Sequence, residues 1–176
     1  MSKSIVGLFI DGANIYATAK ALNYRLDYRR LKTFIETQEQ ELVQAYYYTA
    51  MVDKGEENNP VIPLVDWLGY NGYIVRTKMA KTLIKSNGQI VIKGNMDMEM
   101  AVDILQLAPY MRTAFIATGD GDFRMLAEAL QRQGVQVNII SSIKTDPHFC
   151  ADELRRQSNK FIDLYDIRDM TKQGDT

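Results

Sequence analysis

Residues 4–14 read SIVGLFIDGAN, and this stretch decides the fold. Apart from Gly7, apolar side chains follow one another from Ile5 to Ile10 instead of alternating with polar ones. Such a strand is buried on both faces, as in parallel sheets that carry helices on either side. Asp11 then closes the strand, and Gly12 leads into helical patterning over residues 13–21. A carboxylate is thereby delivered to the C-terminal end of a strand, the edge at which open α/β sheets bind their ligands.

The rest of the chain alternates strands and helices in the same way. A second helix is expected over 28–37 with Asp27 as its N-cap, then a strand over 43–51, VQAYYYTAM, in which alternation sends one or two of Tyr46, Tyr47 and Tyr48 into the core. A polar loop over 53–59 precedes a helix that starts after Pro60 and ends at Asn71-Gly72, and a third strand covers 73–78. Residues 81–94, KTLIKSNGQIVIKG, read as an inserted β-hairpin about Asn87-Gly88, a pair that favours a type I′ turn. Helix over 96–108, strand over 113–118, helix over 123–133, strand over 135–140, helix over 147–157 and a short strand over 161–164 complete the pattern. The expected fold class is α/β, a mostly parallel sheet with helices on both faces plus the hairpin.

The totals agree with that reading. A chain of 176 residues, 46% hydrophobic and 24% charged, has the size and composition of one globular domain. That domain is expected over 1–168, with 169–176 as a flexible tail. No stretch approaches the length of a membrane span, and the first apolar run meets Asp11 too early to be a signal peptide, so the cytoplasm is the expected location. One cysteine, Cys150, and one histidine, His148, cannot build the clusters that zinc prefers. Carboxylates remain for hard-metal chemistry. His148 reads as an exposed helix-start residue and Cys150 as a half-buried structural thiol.

Three carboxylates end strands: Asp11 ends one, Asp120 and Asp122 another. If those strands are neighbours, like charges share a crevice, and magnesium, bound through oxygen, relieves their repulsion. On the helix from residue 96, Asp97 falls within ~20° of Ile104 and ~40° of Ala101, on the face turned to the sheet. Asp103 lies ~120° from Asp97, at the boundary of that face. Capping alone also accounts for aspartate at helix starts, so for Asp97, Asp120 and Asp122 both readings stand at this point. Asn14, three residues after Asp11, is a cap or a substrate contact. The net charge of −1 gives no sign of a polyanion partner, but between Trp67 and Met96 there is no acidic residue while Arg76, Lys78, Lys81, Lys85 and Lys93 supply five cations. Solvated edge strands often carry single lysines. Five without a counter-charge read as a basic surface flanking the pocket, with Lys93 nearest the chemistry and Lys81 and Lys85 further out.

Three segments, FIDGANI at 9–15, KGNMDMEMAVD at 93–103 and TGDGDF at 118–123, resemble in order the signature blocks of the NYN domain. The chain is similar in particular to the LabA-like branch of the PIN-like nuclease superfamily, over roughly residues 4–165. That resemblance implies a Rossmann-like sheet and Mg²⁺- or Mn²⁺-dependent ribonuclease activity. It implies Asp11, Asp97, Asp120 and Asp122 as catalytic and metal-binding residues, with Asp103 as an added ligand. Asn14, Thr118, Lys93, Lys81 and Lys85 are the expected substrate contacts, RNA the expected partner, and a homodimer the assembly, since related domains often pair. Many members carry SGDSDF where this chain has Thr118 and Gly121, changes that remove no carboxylate. Two other functions compete: a catalytically silent RNA- or protein-binding regulatory module on the same fold, and a phosphatase or transferase that uses Asp120 and Asp122 as a DxD pair. The second is disfavoured because its pair normally follows the first strand.

Overall fold

In the computed structural model, residues 3–52, 59 and 61–174 are described; residues 53–58 of the expected polar loop lie outside them. Six parallel strands form one sheet in the order β3-β2-β1-β6-β7-β8. They are β1 Ile5–Asp11, β2 Val43–Met51, β3 Tyr73–Met79, β6 Met111–Ala117, β7 Gln136–Ser141 and β8 Lys160–Asp163. The helices are α1 Gly12–Ala21, α2 Tyr28–Glu39, α3 Val61–Tyr70, α4 Asp97–Leu107, α5 Arg124–Arg132, α6 Asp152–Gln157 and α7 Leu164–Thr171. Among the described residues no helix is long and apolar enough to cross a membrane.

Central strands with both faces covered explain the apolar run of β1. Val6, Leu8 and Ile10 join a core with Ile15, Leu31 and Ile35 on one side of the sheet, whereas Phe9 joins Met100, Ile104 and Leu130 on the other. The tyrosines of β2 follow the same division, Tyr47 on the first side and Tyr46 and Tyr48 on the second. All three are buried, rather than one or two, because β2 also lies inside the sheet with helices over each face. Strand order reverses between β1 and β6, which pair in parallel from Ile5 opposite Met111 to Ile10 opposite Ala117. Their C-terminal ends are therefore side by side at the switch point, where a crevice opens.

Strands β4 Lys81–Ile84 and β5 Ile90–Lys93 make the inserted hairpin between β3 and α4, as a separate two-stranded sheet. Its turn is not type I′. Of Asn87 and Gly88 only Gly88 has positive φ, 78°. The Gly88 N–H bonds to the Lys85 carbonyl and the Lys85 N–H to the Gln89 carbonyl, both at 2.9 Å. This is the three-residue loop that ends on a left-handed glycine. Two further departures lie near the C-terminus. The helix expected from residue 147 begins only at Asp152, because the N–H groups of Cys150 and Ala151 bond to the carbonyls of Ser142 and Gly119, which holds that segment out of a helix. Residues 169–171 belong to α7 and not to a tail: Thr171 is buried, and Leu26 bridges to Lys172 just beyond it.

Candidate functional site

Asp11 is both the last residue of β1 and the N-cap of α1, where its Oδ1 accepts from the Asn14 N–H at 3.4 Å. Its Oδ2 accepts from the Thr118 hydroxyl at 3.0 Å. That hydroxyl in turn accepts the Asp120 N–H at 3.2 Å, and Asn14 Oδ1 accepts the Gly119 N–H at 2.9 Å. The loops after β1 and β6 are thus tied by side-chain bonds in both directions. Asp120 caps the short 3-10 turn that follows, with Oδ1 accepting from the Asp122 N–H at 2.9 Å. A methyl group on Gly119 would lie 2.0 Å from the Phe149 carbonyl oxygen, so only glycine lets this loop lie against the irregular segment before α6.

Across the crevice stands the first turn of α4. Asp97 does not cap it: Met96 is the N-cap and makes no side-chain bond. Instead Asp97 Oδ2 accepts from Asn95 Nδ2 at 3.0 Å, and the carboxylate faces a cleft of about 360 Å³ lined by Asp11, Asn14, Tyr48, Asn95 and Asp120. Burial, and then repulsion from Asp11, Asp120, Asp122 and Glu99, pushes Asp97 up to about 6. Asp11 is raised as well, chiefly by burial, against the hydrogen bonds from Thr118 and Asn14 that favour its charged form. The donors are all hard oxygens in mutual repulsion. Among the described residues no three acidic, histidine or cysteine side chains stand close enough to form a ready-made metal-binding group. The set fits an ion such as magnesium, which needs only one or two carboxylates beside waters and phosphate oxygens.

Of the residues expected at the metal, Asp11, Asp97 and Asp120 share this cleft. Asp122 is exposed and does not line it, although its charge reaches Asp97. Asp103 also stands outside. Its Oδ2 accepts from the Tyr48 hydroxyl and from Arg76 Nε, each at 3.1 Å, so it fastens α4 to the edge strand β3. Thr118 cannot touch substrate, because it is completely buried and its hydroxyl links Asp11 to Asp120. Asn14 lines the cleft with its carbonyl oxygen already engaged, leaving its amino end to offer. Sequence reasoning passed over Asn95, Tyr48 and Glu99. Asn95 stands inside the KGNMDMEMAVD block and was the one with a signal.

Among the basic residues, Lys78 pairs with Glu99 at 2.8 Å and holds that carboxylate below its ordinary range. Lys81 and Lys93 are cross-strand partners at the root of the hairpin. Lys85 is at its outer end, in the turn. His148 is exposed but lies outside any helix, and Cys150 is fully buried, with burial pushing its thiol up to about 11.

The fold and crevice define a class: a parallel α/β domain with an acid-lined cleft at its topological switch point. Residues 5–166 match the NYN domain model, and the chain belongs to the NYN domain family. It is 34% identical over 168 residues to the low amplitude and bright protein LabA of Synechococcus elongatus, across 94% of this chain and 86% of that one. In fold it is similar to a crystal structure of a protein of unknown function from Vibrio parahaemolyticus, with a TM-score of 0.73, 23% identity and 97% of each chain covered.

Proposed function

We propose that this chain is a metal-dependent endoribonuclease, acting in the cytoplasm, where an RNA substrate is met. The observation that carries the reading is the convergence of Asp11, Asp97 and Asp120 on one cleft, with Asp97 raised to about 6 by burial and then by its acidic neighbours. Asp97 and Asp120 are the residues to hold Mg²⁺ or Mn²⁺, with Asp11 in the same cleft and Asp122 adding charge from outside it. A bound divalent ion would supply a polarised water and a counter-charge for the phosphate. The protein's own part is positioning. Thr118 and Asn14 fix Asp11 and the loop carrying Asp120 on the far side of the strand-order reversal, while Asn95 orients Asp97. The amino end of Asn14 is available to a phosphate oxygen or to an ordered water.

The competing reading is a catalytically silent RNA- or protein-binding module on the same fold. A cleavage assay separates the two readings. Single-stranded and structured RNA, incubated with Mg²⁺ or Mn²⁺, should be cut by the wild-type protein and not by Asp120→Asn, which keeps a good N-cap and so the fold. RNA that is bound but never cut by wild type would establish the silent module instead. A homodimer belongs to the same proposal, with light scattering as its measurement.

A further inference from the structure

The five cations of the acid-free stretch are separated in the structure by what they touch. Arg76 and Lys78 are occupied: Asp103 and Glu99 of α4 accept from them at 3.1 and 2.8 Å. Both are thereby neutralised, and their work is to hold α4 beside β3. Lys81 and Lys93 differ. They face each other directly in the antiparallel pair, and among the described residues neither has a carboxylate within salt-bridge distance. Like charges directly opposite destabilise a hairpin, so the pairing is a cost unless an anion comes between them. Lys85 lies four residues beyond Lys81, about 13 Å further out at a strand's rise per residue.

The position of the pair gives the anion its identity. Lys78, Lys81 and Lys93 line a cleft of about 750 Å³ together with Met79, Gly94 and Asn95. Gly94 and Asn95 also line the acidic cleft. The two clefts therefore share a wall, and Asn95, which bonds Asp97 on one side, borders the lysines on the other. A methyl group on Gly94 would come within 2.7 Å of the Ala50 Cβ and 2.8 Å of the Ala80 Cβ, so the hairpin root is seated close against the ends of the sheet strands. An anion held by Lys81 and Lys93 that continued past Asn95 would enter the acidic cleft. A polymer with a regularly charged backbone does this, whereas a single small anion does not.

We propose that Lys81 and Lys93 form a phosphate-binding pair for single-stranded RNA, taking a backbone phosphate next to the one in the acidic cleft, and that Lys85 is outside this contact. The inference rests on the RNA reading above, yet its test is binding and not cleavage. A labelled RNA dodecamer is titrated with wild type, Lys81→Gln/Lys93→Gln and Lys85→Gln in EDTA over a range of salt. Loss of two phosphate contacts on a single strand lowers the slope of log affinity against log salt by about 1.4, which near 0.1 M salt is roughly a twentyfold loss of affinity. The Lys85→Gln protein should bind like wild type. Melting of the double variant should be unchanged or higher, since a repulsive pair has been removed. If wild type binds and the double variant matches it in affinity and slope, the lysine pair is refuted while the RNA reading stands. Equal losses from Lys85→Gln and the double variant would refute the assignment to the hairpin root. A wild-type protein that binds no RNA overturns both.

Discussion

Asp97→Asn should stabilise the protein at neutral pH, and the size of the effect can be worked from its surroundings. The carboxyl sits at about 6, raised from 3.8 by burial and by Asp11, Asp120, Asp122 and Glu99. A shift of that size corresponds to roughly 3 kcal/mol if none of it is screened. Asp97 is only half-buried, and solvent screening reduces the figure to about 1 kcal/mol. The folded state holds this proton more tightly than the unfolded chain. Stability is therefore lost as pH rises from about 4 to about 6, and the whole penalty is present above that window. Asparagine carries no charge, and its Oδ1 can still accept from Asn95. At pH 7.5 in EDTA the variant should melt about 3 °C above wild type, and at pH 4 the two should converge. Magnesium should raise the melting point of wild type more than that of the variant, because it relieves a repulsion the variant lacks. Thermal melts at both pH values, with and without the ion, are sufficient. A variant that melts at or below wild type at pH 7.5, or whose gain is the same at pH 4, would refute the account of a mutually repelling acidic cluster.

Thr118→Val removes a buried hydroxyl that serves Asp11 Oδ2 and the Asp120 N–H at once; urea unfolding should show a loss of about 1–3 kcal/mol, largely restored by Thr118→Ser. Gly119→Ala puts a methyl group 2.0 Å from the Phe149 carbonyl oxygen, and the forced backbone shift should cost about 1–3 kcal/mol in the same assay.

The almost unbroken apolar stretch of β1, with Asp11 at its end, was enough to place a carboxylate at the mouth of a parallel sheet, and the positions of Asp97 and Asp120 followed from helix and turn patterning. Asp103 shows the limit of that reasoning. A helical wheel places its angle at the border of the buried face but cannot say which neighbour stands there, and the neighbour is Arg76 on the edge strand. Thr118 was misjudged for a similar reason. A hydroxyl beside an acidic motif is equally suited to touching a ligand or to bracing the motif from behind, and only its depth in the fold decides. The segment 147–151 has no residue that forbids a helix after Pro147, yet two of its N–H groups bond to Ser142 and Gly119, partners that sequence separation hides. In α7 the spacing of Leu164, Ile167 and Thr171 was a helical signal, and Asp163, whose Oδ1 accepts from the Tyr165 N–H, a cap; both were passed over because the preceding strand is so short.

The hairpin of β4 and β5 leaves the body at Ala80 and returns at Gly94, and its strands pair with each other and not with the six-stranded sheet. Residues could be added or removed in matched pairs along its two arms without shifting the register of any sheet strand. Its length is thus a variable that selection can adjust separately from stability, and descendants of this chain could acquire longer or shorter reach for a nucleic acid while the acidic crevice stays as it is.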